Sequence, residues 1–285
     1  MATLKEIKTR MVSVKGIEQV TNAMKMVATV KLRHAQKSII QARPYAHRLR
    51  DLLGNLIPRI DRSLNPLLDL RKPKQYCVVV VASDRGLCGA FNTHILNHAE
   101  TIINGYGKDN TSVIAIGRKA RDYFTKRGYK MLGTYVDFFN DLDFNHAIEI
   151  TKTITTQYLS NDLDRVDIVY NDFKSAVKQD LITEQFLPME PEDVEERKFG
   201  DMLFEPSQQE IVDVLVPKYL DVEMWRILLE SNASEQGARM TAMENATEAA
   251  EELFDDLQLY YNKARQASIT KELLDIVGGA EAIQS

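Results

Sequence analysis

Both ends of this 285-residue chain carry apolar side chains spaced for helix pairing, and the two ends are oppositely charged. Toward the C-terminus Ala233, Gln236, Met240, Met243, Thr247, Ala250, Phe254, Leu257, Tyr261, Ala264 and Ser268 recur in alternating steps of three and four. That is the beat of a coiled-coil seam. At the other end Leu4, Ile7, Met11 and Val14 keep the same beat, and Ile17, Val20, Met24 and Val27 resume it after one three-residue shift. Such a shift overwinds a coiled coil locally without ending it. Residues 1–60 hold 12 Lys+Arg against 3 Asp+Glu, whereas residues 205–285 hold 6 against 16. Antiparallel pairing of the two arms neutralises both.

The net charge of −5 hides this polarity, and the hydrophobic share of 44% suits a folded chain with a sizeable core. Cys77 and Cys88 are too few for a disulfide framework, which points to a reducing compartment. Met1 leads into a polar amphipathic helix with no signal-peptide core, and no run reaches the length of a membrane span. Any membrane role is expected to be peripheral.

Residues 1–60 predict one N-terminal coiled-coil helix, rich in Lys, Ala, Met and Arg and bent near Pro44. Residues 61–75, with Asn65, Pro66 and Pro73, read as a linker. From Tyr76 to Ala82 a continuous β-branched run suits a strand buried on both faces. Helices over 92–103, 118–127 and 144–159 then alternate with extended segments over 112–117, 130–136 and 165–171, and 176–186 adds a strand or hairpin. The alternation predicts a Rossmann-like α/β domain with a mainly parallel sheet over residues 76–187. An acidic linker over 188–206 follows. Ser207-Gln-Gln-Glu210 has the form of a capping box and opens a C-terminal coiled-coil helix over 207–285, with a kink or restart expected at Pro217 and a soft end at Gly278-Gly279. The expected fold class is therefore α/β, a central domain inserted between two arms that form a long antiparallel coiled coil.

No catalytic constellation stands out. Ser83-Asp-Arg-Gly-Leu-Cys-Gly89 sits where a phosphate-binding loop would. Yet it lacks both G-x-G-x-x-G and Gly-Lys-Ser/Thr, so it reads as a structural turn. His94 and His98 have helical spacing for a metal but no intervening Glu, which favours an ordinary helix face. Cys88 has no His partner in sequence and suits a small buried residue. Lys25, Lys31, Arg33 and Lys37 could form a nucleic-acid stripe, but Tyr45 is the only aromatic before Tyr76, so a partner-facing surface is the better account.

Four segments carry a family resemblance: Ala2-Thr-Leu-Lys-Glu-Ile-Lys-Thr-Arg10, Val20-Thr-Asn-Ala-Met-Lys-Met-Val-Ala28, Ser83 to Asn92, and Ile269-Thr-Lys-Glu-Leu-Leu-Asp-Ile-Val-Gly-Gly-Ala280. Together they resemble the gamma subunit of F-type ATP synthase of the bacterial type, over essentially the whole chain. The resemblance implies a central-stalk rotor, a subunit that has no active site of its own. Its paired terminal helices would pass up a ring of alpha and beta subunits, and its α/β domain would sit near the epsilon subunit and the membrane c-ring. Proton-driven turning would serve ATP synthesis, and hydrolysis would reverse it. The implied location is peripheral, on the cytoplasmic face of the bacterial plasma membrane.

Residue by residue, Met24 matches the family position facing the acidic lever segment of a beta subunit. Arg239, Arg265, Gln266, Thr270 and Glu272 match positions that contact the ring or support the N-terminal helix. Asn22 and Lys25 depart from the Lys and Glu common in relatives, and the cysteine-bearing insertion of chloroplast relatives is absent. No cofactor, nucleic acid or direct small-molecule substrate is expected. The alternatives are a nucleotide-dependent enzyme on the central domain and a coiled-coil scaffold that binds nucleic acid.

Overall fold

A computed structural model describes residues 3–189, 205 and 207–284. The chain divides into two compact units, one formed by residues 1–27 with 240–285 and the other by residues 28–239. Helix α1 spans Leu4–Leu56 and helix α5 spans Gln208–Gln284, so both helices contribute to both units. Thr3 starts α1 with a reciprocal cap: its hydroxyl accepts from the Glu6 amide at 3.3 Å and its own amide donates to the Glu6 carboxylate at 2.9 Å. Ser207 caps α5 in the expected way, accepting from the Glu210 amide at 3.2 Å. The helical backbone of α5 is continuous through Pro217, where a restart was a possibility, and through Gly278-Gly279, where an end was expected. Residues 190–204, on which most of the expected acidic linker falls, lie outside the described residues.

The larger unit holds a five-stranded sheet. Its strands are β1 (Tyr76–Val81), β2 (Thr111–Ile116), β3 (Lys130–Tyr135), β4 (Arg165–Phe173) and β5 (Gln179–Leu187), in the order β3-β2-β1-β4-β5. The pairs β1–β2, β1–β4 and β2–β3 are parallel, and β5 lies antiparallel on β4. A buried central strand needs apolar side chains on both faces, and β1 supplies them, with Cys77 through Val81 fully buried. Val78 and Val80 pack under α2 (Phe91–Tyr106) and α3 (Arg118–Lys126), against Ile95, Ala99 and Phe124. Cys77, Val79 and Val81 face the other way, into a core shared with Ile150 and Ile154 of α4 (Phe144–Leu159), Leu53 and Leu56 of α1, and Leu220 and Met224 of α5. The strand's two-residue period thus separates two cores.

The C-terminal half of α1 and the N-terminal part of α5 are therefore part of the sheet domain. Within this unit Arg43 pairs with Glu230 at 3.3 Å and Arg50 with Glu223 at 3.0 Å. Arg226 adds a 2.9 Å pair to Glu184 on β5 and donates to the Tyr170 hydroxyl at 3.1 Å. Glu223 is buried, which alone would push its carboxyl up, but Arg226 and Arg50 outweigh burial and hold it below the usual carboxylate range. Glu230 and Glu235 show the opposite balance, with burial pushing both carboxyls up.

Candidate functional site

The turn after β1 is stapled by its own side chains. The Ser83 amide donates to Asn92 Oδ1 at 3.0 Å, and the Ser83 hydroxyl donates to the carbonyl of Arg85 at 2.6 Å. Leu87 and Gly89 take positive φ of 64° and 60°, which folds the turn tightly. Asp84 accepts from the Arg118 amide at 2.9 Å, so the N-terminus of α3 is capped from within the chain. Gly117 precedes that helix at φ 90°, where an added Cβ would lie 2.2 Å from the carbonyl oxygen of Ala82. Only glycine permits this approach. Cys88 is buried, which pushes its thiol up, and receives the Asn92 amide at 3.1 Å. These bonds make the segment a structural turn.

His98 contacts the Thr183 hydroxyl at 2.9 Å, and His94 is exposed. Among the described residues no group of three His, Cys, Asp or Glu side chains could hold a metal ion.

The smaller unit is the pairing of the two helix ends. On α5 Met240, Met243, Thr247, Ala250, Phe254, Leu257, Tyr261, Ala264 and Ser268 are buried or half-buried, and from Thr247 onward their neighbours face outward, which is the seam the sequence predicts. On α1 the seam differs from expectation. The side chains turned inward are Ile7, Met11, Val14, Glu18, Thr21, Met24 and Lys25, an unbroken beat, whereas Ile17, Val20 and Val27 are 55%, 58% and 58% exposed. The three-residue shift is not taken, because polar partners satisfy the polar seam positions. Lys15 pairs with Glu18 at 2.7 Å, Thr21 meets Thr247 at 2.8 Å, and Lys25 pairs with Glu244 at 2.6 Å. Lys15 also lies 5.5 Å from the centre of the Phe254 ring. The displaced apolar residues, with Val12 and Met26, cover the outside of α1.

The candidate residues fall into three environments. Met24 is half-buried beside the Thr21 and Lys25 contacts. Arg239 is in the other unit, pairing with Glu235 at 2.6 Å and donating to the carbonyl of Gly86 at 3.2 Å. This internal clasp on the β1 turn was not legible in the sequence, since 153 residues separate its partners. Arg265, Gln266, Thr270 and Glu272 are exposed on α5, where Thr270 donates to the Gln266 carbonyl at 3.0 Å. Around them Ile269, Leu273, Leu274, Ile276 and Val277 are 49–68% exposed.

The chain matches the family model described as ATP synthase over residues 3–283. It is 48% identical over 301 residues to the ATP synthase gamma chain of Chloroherpeton thalassium, covering 100% of this chain and 99% of that protein. It is 49% identical over 290 residues to the gamma chain of Prosthecochloris aestuarii, with coverage of 100% and 99%. Among solved structures it is similar to a chain of the Euglena gracilis mitochondrial ATP synthase, with a TM-score of 0.70 at 22% identity, covering 98% of this chain and 94% of that one. A chain of the Tetrahymena thermophila central stalk and c-ring gives 0.63 at 22% identity, over 80% and 99%. At such identities the structural likeness is one of fold. The full-length relatives carry the assignment, and the chain belongs to the ATP synthase gamma-chain family.

Proposed function

We propose that this chain turns inside a ring of alpha and beta subunits, coupling proton flow through a membrane c-ring to ATP synthesis and ATP hydrolysis to reverse rotation. The observation that carries this is the end of α5. Past Ser268 its side chains are exposed through Val277, and they include Ile269, Leu273, Leu274, Ile276 and Val277. Such a helix suits an apolar sleeve, where few directional bonds would hold it at any one angle.

A shaft whose sides differ cannot touch three catalytic subunits alike. Each is biased toward a different conformation and nucleotide affinity, and turning the shaft permutes the biases. Met24 would meet the acidic lever of a beta subunit. Arg265, Gln266, Thr270 and Glu272 would contact the ring, while Arg239, already bound to Gly86, would support the base of the shaft. The sheet domain of residues 76–187 would meet epsilon and the c-ring. The complex would be peripheral, on the cytoplasmic face of the bacterial plasma membrane. Among the described residues no helix is long and apolar enough to cross a membrane.

Co-purification tests the assignment. Alpha and beta subunits should be recovered with the chain, and deleting Met240 to Ser285 should abolish coupling. An assembly that still coupled hydrolysis to proton pumping after that deletion would refute it.

A further inference from the structure

The order of the sheet reverses between β1 and β4: β1 leads out to β2 and β3, and β4 leads to β5. Open α/β sheets take their ligands in the crevice beyond the strand ends at such a point. Here that crevice holds α5. The Ser234 hydroxyl donates to the carbonyl of Asn171 on β4 at 3.0 Å. Ser231 Oγ lies 3.5 Å from the carbonyl of Val81, the last residue of β1. Glu230 accepts from the Phe173 amide at 3.3 Å.

Gly237 then brings the helix against the loop after β4. A Cβ at this position would sit 3.1 Å from the carbonyl oxygen of Ala176 and 3.3 Å from its Cα. Arg239 completes the row through Gly86 in the turn after β1. All five residues thus address main-chain atoms at the carboxyl end of the sheet.

Main-chain partners matter here because they cannot rotate to follow a sliding helix. Apolar ridges tolerate alternative settings, whereas hydrogen bonds weaken steeply once misaligned. A turn of α5 by one residue, about 100°, would carry Ser231, Ser234 and Gly237 away from the strand ends together. We propose that the ligand crevice of this domain serves as a socket that fixes α5 in one rotational phase. Ser231, Ser234, Gly237 and Arg239 are then positioning residues that pass torque between the sheet domain and the shaft. This rests on the rotor function proposed above.

The assembled enzyme tests the socket in two directions. In the first, Ser231→Ala with Ser234→Ala removes both hydroxyl anchors on the strand ends, and the ratio of protons pumped to ATP hydrolysed should fall. A parental ratio overturns the proposal. In the second, Gly237→Val should lift the helix, leaving hydrolysis while proton pumping falls several-fold. A parental ratio overturns it.

A third readout needs no rotation. Cys88 is buried in the turn that Arg239 clasps, and Cys77 is buried within β1. Gly237→Val should speed alkylation of Cys88 but not of Cys77, and unchanged labelling of Cys88 overturns the socket. If the parent chain fails to assemble with alpha and beta subunits while this labelling result holds, it is the rotor function that fails.

Discussion

The hydroxyls of Thr21 on α1 and Thr247 on α5 meet at 2.8 Å, 226 residues apart in sequence, within a seam otherwise built largely of aliphatic and thioether side chains. Thr247 also lies 2.8 Å from the carbonyl of Met243, and Thr21 3.0 Å from that of Glu18. A polar pair inside a helix seam sets register at some expense of stability. Replacing both with valine removes both hydroxyls while keeping their shape. The double variant should unfold close to the parent, whereas each single variant should lose stability, with a coupling of about 0.5–1.5 kcal/mol in a urea double-mutant cycle. Additive single effects would show that the pair does not interact.

Met24→Lys puts a second cation beside Lys25, whose partner is Glu244 at 2.6 Å. The variant should assemble with the catalytic ring in normal yield but pump fewer protons per ATP hydrolysed. Pumping that tracked hydrolysis as in the parent would remove Met24 from the coupling surface.

Two glycines should respond with opposite signs. Gly16 is inside α1 with nothing near its missing Cβ, so Gly16→Ala should stabilise the helix by about 1 kcal/mol. Gly117→Ala combines positive φ with a Cβ 2.2 Å from the Ala82 oxygen. Left-handed strain alone costs about 1–3 kcal/mol, and the clash adds to it. Urea midpoints compare the two, with soluble yield as a second reading for Gly117→Ala.

Glu223 should shape the acid limb of stability. Its carboxyl is held below the ordinary value of 4.5, so the unfolded chain takes up its proton first as pH falls. The stabilisation is complete above that ordinary value and is lost as pH drops through the lowered one. Glu223→Gln should therefore flatten the decline in urea midpoint on acidification and lower the midpoint at neutral pH. Glu235 works in the other direction. Burial raises its pKa, so its ionisation erodes stability as pH rises above 4.5, and Glu235→Gln should remove that part of the profile.

Much of the fold was legible because its signals are local. The β-branched run at Tyr76–Val81 suits a strand buried on both faces, which is what forms, and the alternation that follows matches the observed helices and strands. The C-terminal seam was legible down to single residues from Met240 to Ser268, since its apolar positions are also its buried ones. The candidate site was less so. Met24 and the exposed residues from Arg265 to Glu272 were reached through family motifs, because an exposed helix residue carries no signal of its partner in its own chain.

By itself, the sequence determined the elements, their order and the opposite charge of the arms, all properties of residues close along the chain. Tertiary structure alone decided the phase of α1, where Glu18, Thr21 and Lys25 turn inward while Ile17, Val20 and Val27 turn out. Polar residues can occupy a seam only when partners meet them, and Thr247 and Glu244 are far away in sequence. Tertiary structure also decided that α5 fills the crevice of the sheet, since Ser234 and Arg239 find main-chain partners 63 and 153 residues earlier. No helical period or capping signal encodes a bond of that span.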